Sequence, residues 1–131
     1  MDTPAHNKQR PTESELEILR ILWKLESATV KEVHEMLAAT KNTGYTTTLK
    51  TMQIMKDKGL LYRDTASRQH IYKPAVTQEQ TQKDFLGKMI DGLFSGSASR
   101  LVIGALNNKQ ISPDELQEIK DYLEQFENKK K

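Results

Sequence analysis

Cysteine is absent from this chain. A disulfide scaffold, a thiolate metal site and a cysteine nucleophile are all excluded, and the absence suits a reducing compartment. Aromatic residues make up only 6% of the sequence and include a single tryptophan. The hydrophobic share is 36%, below the ~45–50% usual for globular domains. Only a modest core can be built, so small helical modules, or a core completed between two copies, are expected. No apolar run approaches the ~18 residues that span a bilayer. The opening MDTPAHNKQRP has no apolar h-region, so neither a signal peptide nor membrane insertion is expected and the chain is placed in the cytoplasm. Phosphate-binding glycine loops, a nucleophile elbow and a HExxH helix are missing too. His6, His34 and His70 lack metal-ligand spacing, so no metal or cofactor is expected. The carboxylates between Asp114 and Glu127 are interspersed with Lys120 and read as a solvated helix face. An enzyme is not expected.

Excess charge of one sign is lacking overall, at 20 Lys and Arg against 18 Asp and Glu, but it is not lacking locally. From Lys41 to Lys73, seven cations (Lys41, Lys50, Lys56, Lys58, Arg63, Arg68, Lys73) face Asp57 and Asp64, seven against two, or +5. The whole chain carries +2, so the remainder sums to −3. A basic element on a slightly acidic body points to a polyanionic partner.

Capping signals set the helices. Thr12 with Glu15 and Thr29 with Glu32 are capping boxes, in which hydroxyl and carboxylate satisfy backbone N–H groups left over at a helix start. They open a first helix to about Glu26, with Leu16, Ile18, Leu19, Ile21, Leu22, Trp23 and Leu25 as its apolar stripe, and a second with Val30, Val33 and Leu37 inward. A third runs from Gly44 or Tyr45 to Lys58, with Leu49, Met52 and Met55 as the inner side. Gly59 suits the left-handed position after a helix, and Lys56 and Lys58 complement the dipole. Leu60–Asp64 and Gln69–Lys73 read as strands around a turn at Thr65, Ala66 and Ser67. Thr77 with Gln80 opens a helix to about Phe94, and residues 95–99 break it. A short helix holding Leu101, Val102, Ala105 and Leu106 ends at Asn107 and Asn108. Ser112, Pro113 and Glu115 start the last. The expected organisation is a disordered N-terminus (1–10), three helices and a hairpin (11–75), a helical region (76–127) and a basic tail (128–131).

Helix, helix, turn, helix and hairpin is the order of a winged helix-turn-helix. The fold class is therefore mainly α with a small antiparallel β-wing, followed by a C-terminal helical dimerisation domain. Short polar side chains on the third helix let its backbone approach base edges in the major groove. Three consecutive threonines are poor helix formers, and a face chosen for stability alone would use Glu, Lys or Ala. Tyr45, Thr46, Thr47, Thr48, Lys50 and Thr51 are the candidate DNA-binding residues, with Arg68 as a wing clamp on phosphate or minor groove. For Tyr45 a contact to the DNA backbone and a role capping the core stand side by side. Phe85, Met89, Leu93, Leu101, Leu116, Ile119, Leu123 and Phe126 are the candidate dimerisation residues, because their stripes exceed what lone helices of this length would leave unpartnered. A homodimer on a double-stranded DNA operator is the expected assembly. The alternative is a winged-helix module that binds protein without specific DNA binding.

The segments PTESELEILRILWKLESATVKEVHEML, YTTTLKTMQIMKDKGLLYR and SRQHIYKPAVT together resemble the penicillinase-repressor family of bacterial transcription factors (the BlaI/MecI type, with the copper-responsive CopY repressors as relatives). The resemblance covers almost the whole chain and is strongest over residues 11–77. It implies a homodimeric repressor on a dyad operator, with half-sites like TACA/TGTA read by the third helix. Thr47, Thr48, Lys50 and Thr51 fall at the family's DNA-contacting positions. It also implies a membrane sensor-protease as a partner, cleaving the C-terminal part. Three departures stand out. The relatives' scissile Asn-Phe pair aligns with Gly104 and Ala105. The cysteine-rich tail of the copper-responsive type is absent. Gly44 occupies a position where relatives commonly carry tryptophan.

Overall fold

The computed structural model describes residues 10–130, with side chains through Lys129. Segment 1–9 of the expected disordered N-terminus, including His6, and Lys131 of the basic tail lie outside the described residues. Six helices and two strands follow in order: α1 (Glu13–Leu25), α2 (Val30–Ala38), α3 (Tyr45–Asp57), β1 (Leu61–Asp64), β2 (Ile71–Pro74), α4 (Gln78–Leu93), α5 (Ala98–Asn108) and α6 (Pro113–Lys130). They form two compact units that meet within α4, the first ending at Leu86 and the second beginning at Gly87.

The capping chemistry forms as the sequence dictates. Thr12 and Thr29 each accept the N–H of the glutamate three residues on, at 3.2 Å, and each glutamate accepts the cap residue's N–H, at 2.9 and 2.8 Å. Thr77 and Ser112 accept the N–H groups of Gln80 and Glu115 at 3.0 Å. Gly59 takes φ +84° after α3. Its N–H donates to the Lys56 carbonyl at 3.1 Å, and that of Leu60 to the Met55 carbonyl at 2.9 Å, the paired bonds of a Schellman turn. Leu60 and Met55 are both buried, so the turn that ends α3 also aims the chain into β1.

Ile18, Leu19 and Leu22 of α1, Val33 and Leu37 of α2, Met52 and Met55 of α3, and Leu61 and Tyr72 of the hairpin close one core. The hairpin pairs Leu61 with Pro74, Tyr62 with Lys73, Arg63 with Tyr72 and Asp64 with Ile71. Two strands alone are marginal in water. Here a third partner supports them. Ala28, between α1 and α2, exchanges both backbone hydrogen bonds with Tyr72, at 3.0 and 2.8 Å. Trp23 Nε1 donates to the Val76 carbonyl at 2.9 Å and ties the end of the wing to α1.

Two expectations need correction. The second strand starts at Ile71, so Gln69 and His70 belong to a wing loop running from Thr65 to His70. The first strand ends at Asp64 as expected, where Asp64 Oδ1 accepts the Ala66 N–H at 2.9 Å, and Ser67 Oγ donates to the Gln69 carbonyl at 2.5 Å, which keeps Gln69 in the turn. Lys58, expected to serve the helix dipole, lies 2.7 Å from the Glu15 carboxylate, which is itself buried. A buried carboxylate needs such a partner. The pair fastens the start of α1 to the end of α3 and so fixes how α3 is presented.

The second unit is built differently. From Gly87 to Lys129 no described residue is buried. Helix α4 ends where Ser95 and Gly96 take φ 51° and 79°, and Ser97 caps α5. Helix α6 continues through Asn128 to Lys130, so the described part of the expected tail is helical.

Candidate nucleic-acid interface

Helix α3 follows α2 after a short turn, and its placement is set by Met52 and Met55, both fully buried. The third member of that inner row is Thr48, at 2% exposure, so the row runs i, i+4, i+7. Thr48 is therefore turned inward, contrary to the outward position expected for it. Its Oγ1 lies 3.1 Å from His34 Nδ1 and 3.4 Å from the Gly44 carbonyl. Leu49, expected on the inner side, is half-buried against the core edge. The physical reason is close packing between α2 and α3: a threonine is small enough for that crossing, and His34 satisfies its hydroxyl.

With Thr48 inside, the outward face turns. Thr46, Thr47, Lys50, Gln53 and Ile54 are exposed. Gln53 extends the row that Thr46 and Lys50 begin, and the sequence reading missed it because an inner row through Leu49 places Gln53, four residues on, toward that side. Its amide can both donate and accept, the pattern that pairs with adenine in the major groove. Thr51 is half-buried, and its hydroxyl donates to the Thr47 carbonyl at 2.8 Å, which engages the group proposed for reading. Tyr45 is exposed, with its ring edge-on to His34 at a centroid distance of 5.7 Å. His34 thus holds two residues at the start of α3, another part played by a residue that sequence spacing did not single out.

The N-terminus of α3 has no side-chain cap and no acidic residue in its first turn. Helix starts of this kind leave backbone N–H groups and the positive dipole end open to phosphate. Gly44, the N-cap, has φ −90°, and a Cβ there would meet open space, so nothing local demands glycine. Arg68 is exposed on the wing loop. A hollow of about 250 Å³ joins the elements: Lys31 from α2, Tyr45 and Gln53 from α3, and Arg63, Arg68 and His70 from the wing. The structure therefore brings Tyr45 and Arg68 to one concavity and adds Lys31, Gln53 and His70 to it.

The candidate dimerisation residues divide. Met89, Leu93, Leu116, Leu123 and Phe126 are exposed, Leu93 by 77%. Leu101 and Ile119 are half-buried. Phe85 belongs to the first unit, where the Arg10 guanidinium sits over its ring at 5.4 Å. Val102, Ile103 and Tyr122 extend the exposed apolar surface, Tyr122 stacked on Phe126. Gly104 and Ala105 lie inside α5, with Phe94 packed near Gly104. Among the described residues no group of three or more His, Asp or Glu side chains could hold a metal, and no helix is long and apolar enough to cross a membrane.

One prediction separates the two rows of α3. Thr48→Val is expected to lower stability by about 1–2 kcal/mol, because His34 loses its partner, with little change in sequence preference. Gln53→Ala is expected to leave the melting temperature alone and to cost about 1–3 kcal/mol of DNA discrimination. Thermal melts together with binding to a panel of single-base operator variants would check both.

Comparison with known proteins gives a consistent picture. The sequence model of the penicillinase repressor family matches residues 11–125. A penicillinase repressor from Bacillus licheniformis is 27% identical over 121 residues, covering 92% of this chain and 94% of its own length. The transcriptional regulator BlaI of Mycobacterium tuberculosis is 28% identical over 109 residues, covering 81% of this chain and 77% of its own length.

Proposed function

The chain belongs to the penicillinase repressor family, and from that premise we propose that it is a cytoplasmic homodimer that represses transcription by reading a dyad DNA operator. Members of the family are transcriptional regulators, not enzymes. The observation that carries the DNA reading is the exposed row Thr46, Thr47, Lys50 and Gln53, set beside the basic wing loop and an uncapped start of α3. Thr46, Thr47 and Gln53 supply hydrogen-bonding groups to base edges. Lys50 reaches guanine or phosphate. Tyr45, Lys31 and Arg68 hold the backbone on either side. Thr51 serves mainly to shape the helix.

A single head carrying this charge binds weakly. Two heads joined through the second unit bind as one ligand, and the gain is an effective concentration rather than a new contact. The unburied stripes of α4, α5 and α6 support that role. If a membrane sensor-protease relieves repression by cutting at Gly104–Ala105, α5 must first unwind, since both residues lie in its interior. Relief of that kind would act by separating the heads.

The test is a gel shift and footprint with DNA from upstream of the chain's own gene, at several salt concentrations. A protected dyad is expected, with affinity falling about 10³–10⁵-fold between 50 and 200 mM salt for six to ten phosphate contacts. Affinity independent of salt would refute the electrostatic part. A chain that associates but shifts no DNA at any salt would be a protein-binding module instead.

A further inference from the structure

On the first unit lies a larger groove that the DNA reading does not use. It encloses about 990 Å³, at the upper end of the ~300–1,000 Å³ typical of small-molecule sites. Its apolar lining is the half-buried Val76 and Phe85 beside the buried Leu60 and Leu61. Arg10, Lys56 and Arg63 reach it from three separate parts of the chain, against Asp84 as its one lining carboxylate. Arg63 is distinctive: its Nε is buried, and among the described residues it is the one buried side-chain nitrogen or oxygen without a hydrogen-bond partner. A buried donor left unmade favours whatever can accept from it, and a guanidinium donates two parallel hydrogen bonds to a carboxylate. The Phe85 ring, already faced by Arg10, adds an aromatic wall.

We propose that this groove binds an aromatic carboxylate, its ring on Val76 and Phe85 and its carboxylate on Arg63 and Arg10. Arg63 also lines the hollow that Tyr45, Gln53 and Arg68 line. Binding itself does not rest on the DNA reading, so a chain that ignored DNA would still pass or fail the following test.

Naphthalene-2-carboxylate is titrated into the full chain and followed by ¹⁵N–¹H chemical shifts. Saturable shifts are expected at the amides of Gly59, Leu60, Tyr62 and Val76. Naphthalene-2-carboxamide, with the same ring and no charge, is expected to bind about tenfold more weakly. Arg63→Gln and Arg10→Gln are each expected to weaken the carboxylate by about fivefold or more while the spectrum stays dispersed. If Arg63→Gln does not fold, Arg10→Gln decides alone. Equal binding of carboxylate and carboxamide, or shifts confined to the apolar residues from Leu93 to Phe126, would overturn the proposal.

Discussion

Leu116→Lys with Leu123→Lys is expected to abolish self-association and to lower operator affinity about 10²–10⁴-fold, with the melting of the DNA-reading head unchanged. Both leucines are exposed on α6, 41% and 55%, so neither substitution opens a cavity within the chain. Each does place a charge where a partner surface would have to exclude water, and an unpaired charge there opposes association. No described residue beyond Gly87 is buried, and Leu93, Val102, Ile103, Leu116, Leu123 and Phe126 are exposed. Exposed patches above a few hundred Å² on a small domain mark an interaction surface. Sedimentation velocity would read the assembly, and fluorescence anisotropy at one fixed salt would read the affinity. A double variant that is monomeric yet binds operator as tightly as the parent would remove bivalency from the mechanism.

Tyr72→Ala is the second substitution with a large expected effect, about 3–5 kcal/mol of destabilisation, as for other large aromatic-to-alanine changes in a core. Tyr72 is 1% exposed and sits where three elements meet. Its backbone pairs with both Arg63 and Ala28, and its side chain belongs to the core cluster shared with α1. Losing it would detach the wing and α1 together. Domain stabilities are only about 5–15 kcal/mol, so the loss takes a large part of the head's stability, and a head at the low end of that range would be partly unfolded and lose DNA binding with it. Trp23 is the single tryptophan and bonds to Val76 beside the wing. Its fluorescence therefore reports on the head alone. A lowered Trp23 transition with the α6 association retained is the expected outcome. An unaltered Trp23 transition would mean that the hairpin is held by other contacts.

Helix boundaries were legible because their causes are local. Thr12 with Glu15, Thr29 with Glu32, Ser112 with Pro113, and Gly59 act within one turn of the chain, and each appears in the structure where the spacing places it. The outward face of α3 was only partly legible. Both Leu49 and Thr48 fit an inner row with Met52 and Met55, and polarity favoured Leu49. Packing against α2 chose Thr48, because His34 offers its hydroxyl a partner across the crossing. Gln53 was missed for the same reason: its exposure follows from that rotation and not from any local signal. The Ala28 bridge to Tyr72 and the Glu15–Lys58 pair join residues far apart in the chain, and single-chain periodicity contains no trace of them.

By itself, then, the sequence determined the order of elements, the family, and a basic third helix and wing on a slightly acidic body. The element order and the basic wing follow from capping, periodicity and charge, which act over a few residues, and the family from the likeness of whole segments. Tertiary structure decided which side of α3 faces outward, how the wing is anchored, and that Arg63 is left with a buried donor. Those outcomes depend on which side chains fill the space between elements, and close packing settles that only when all the elements are present.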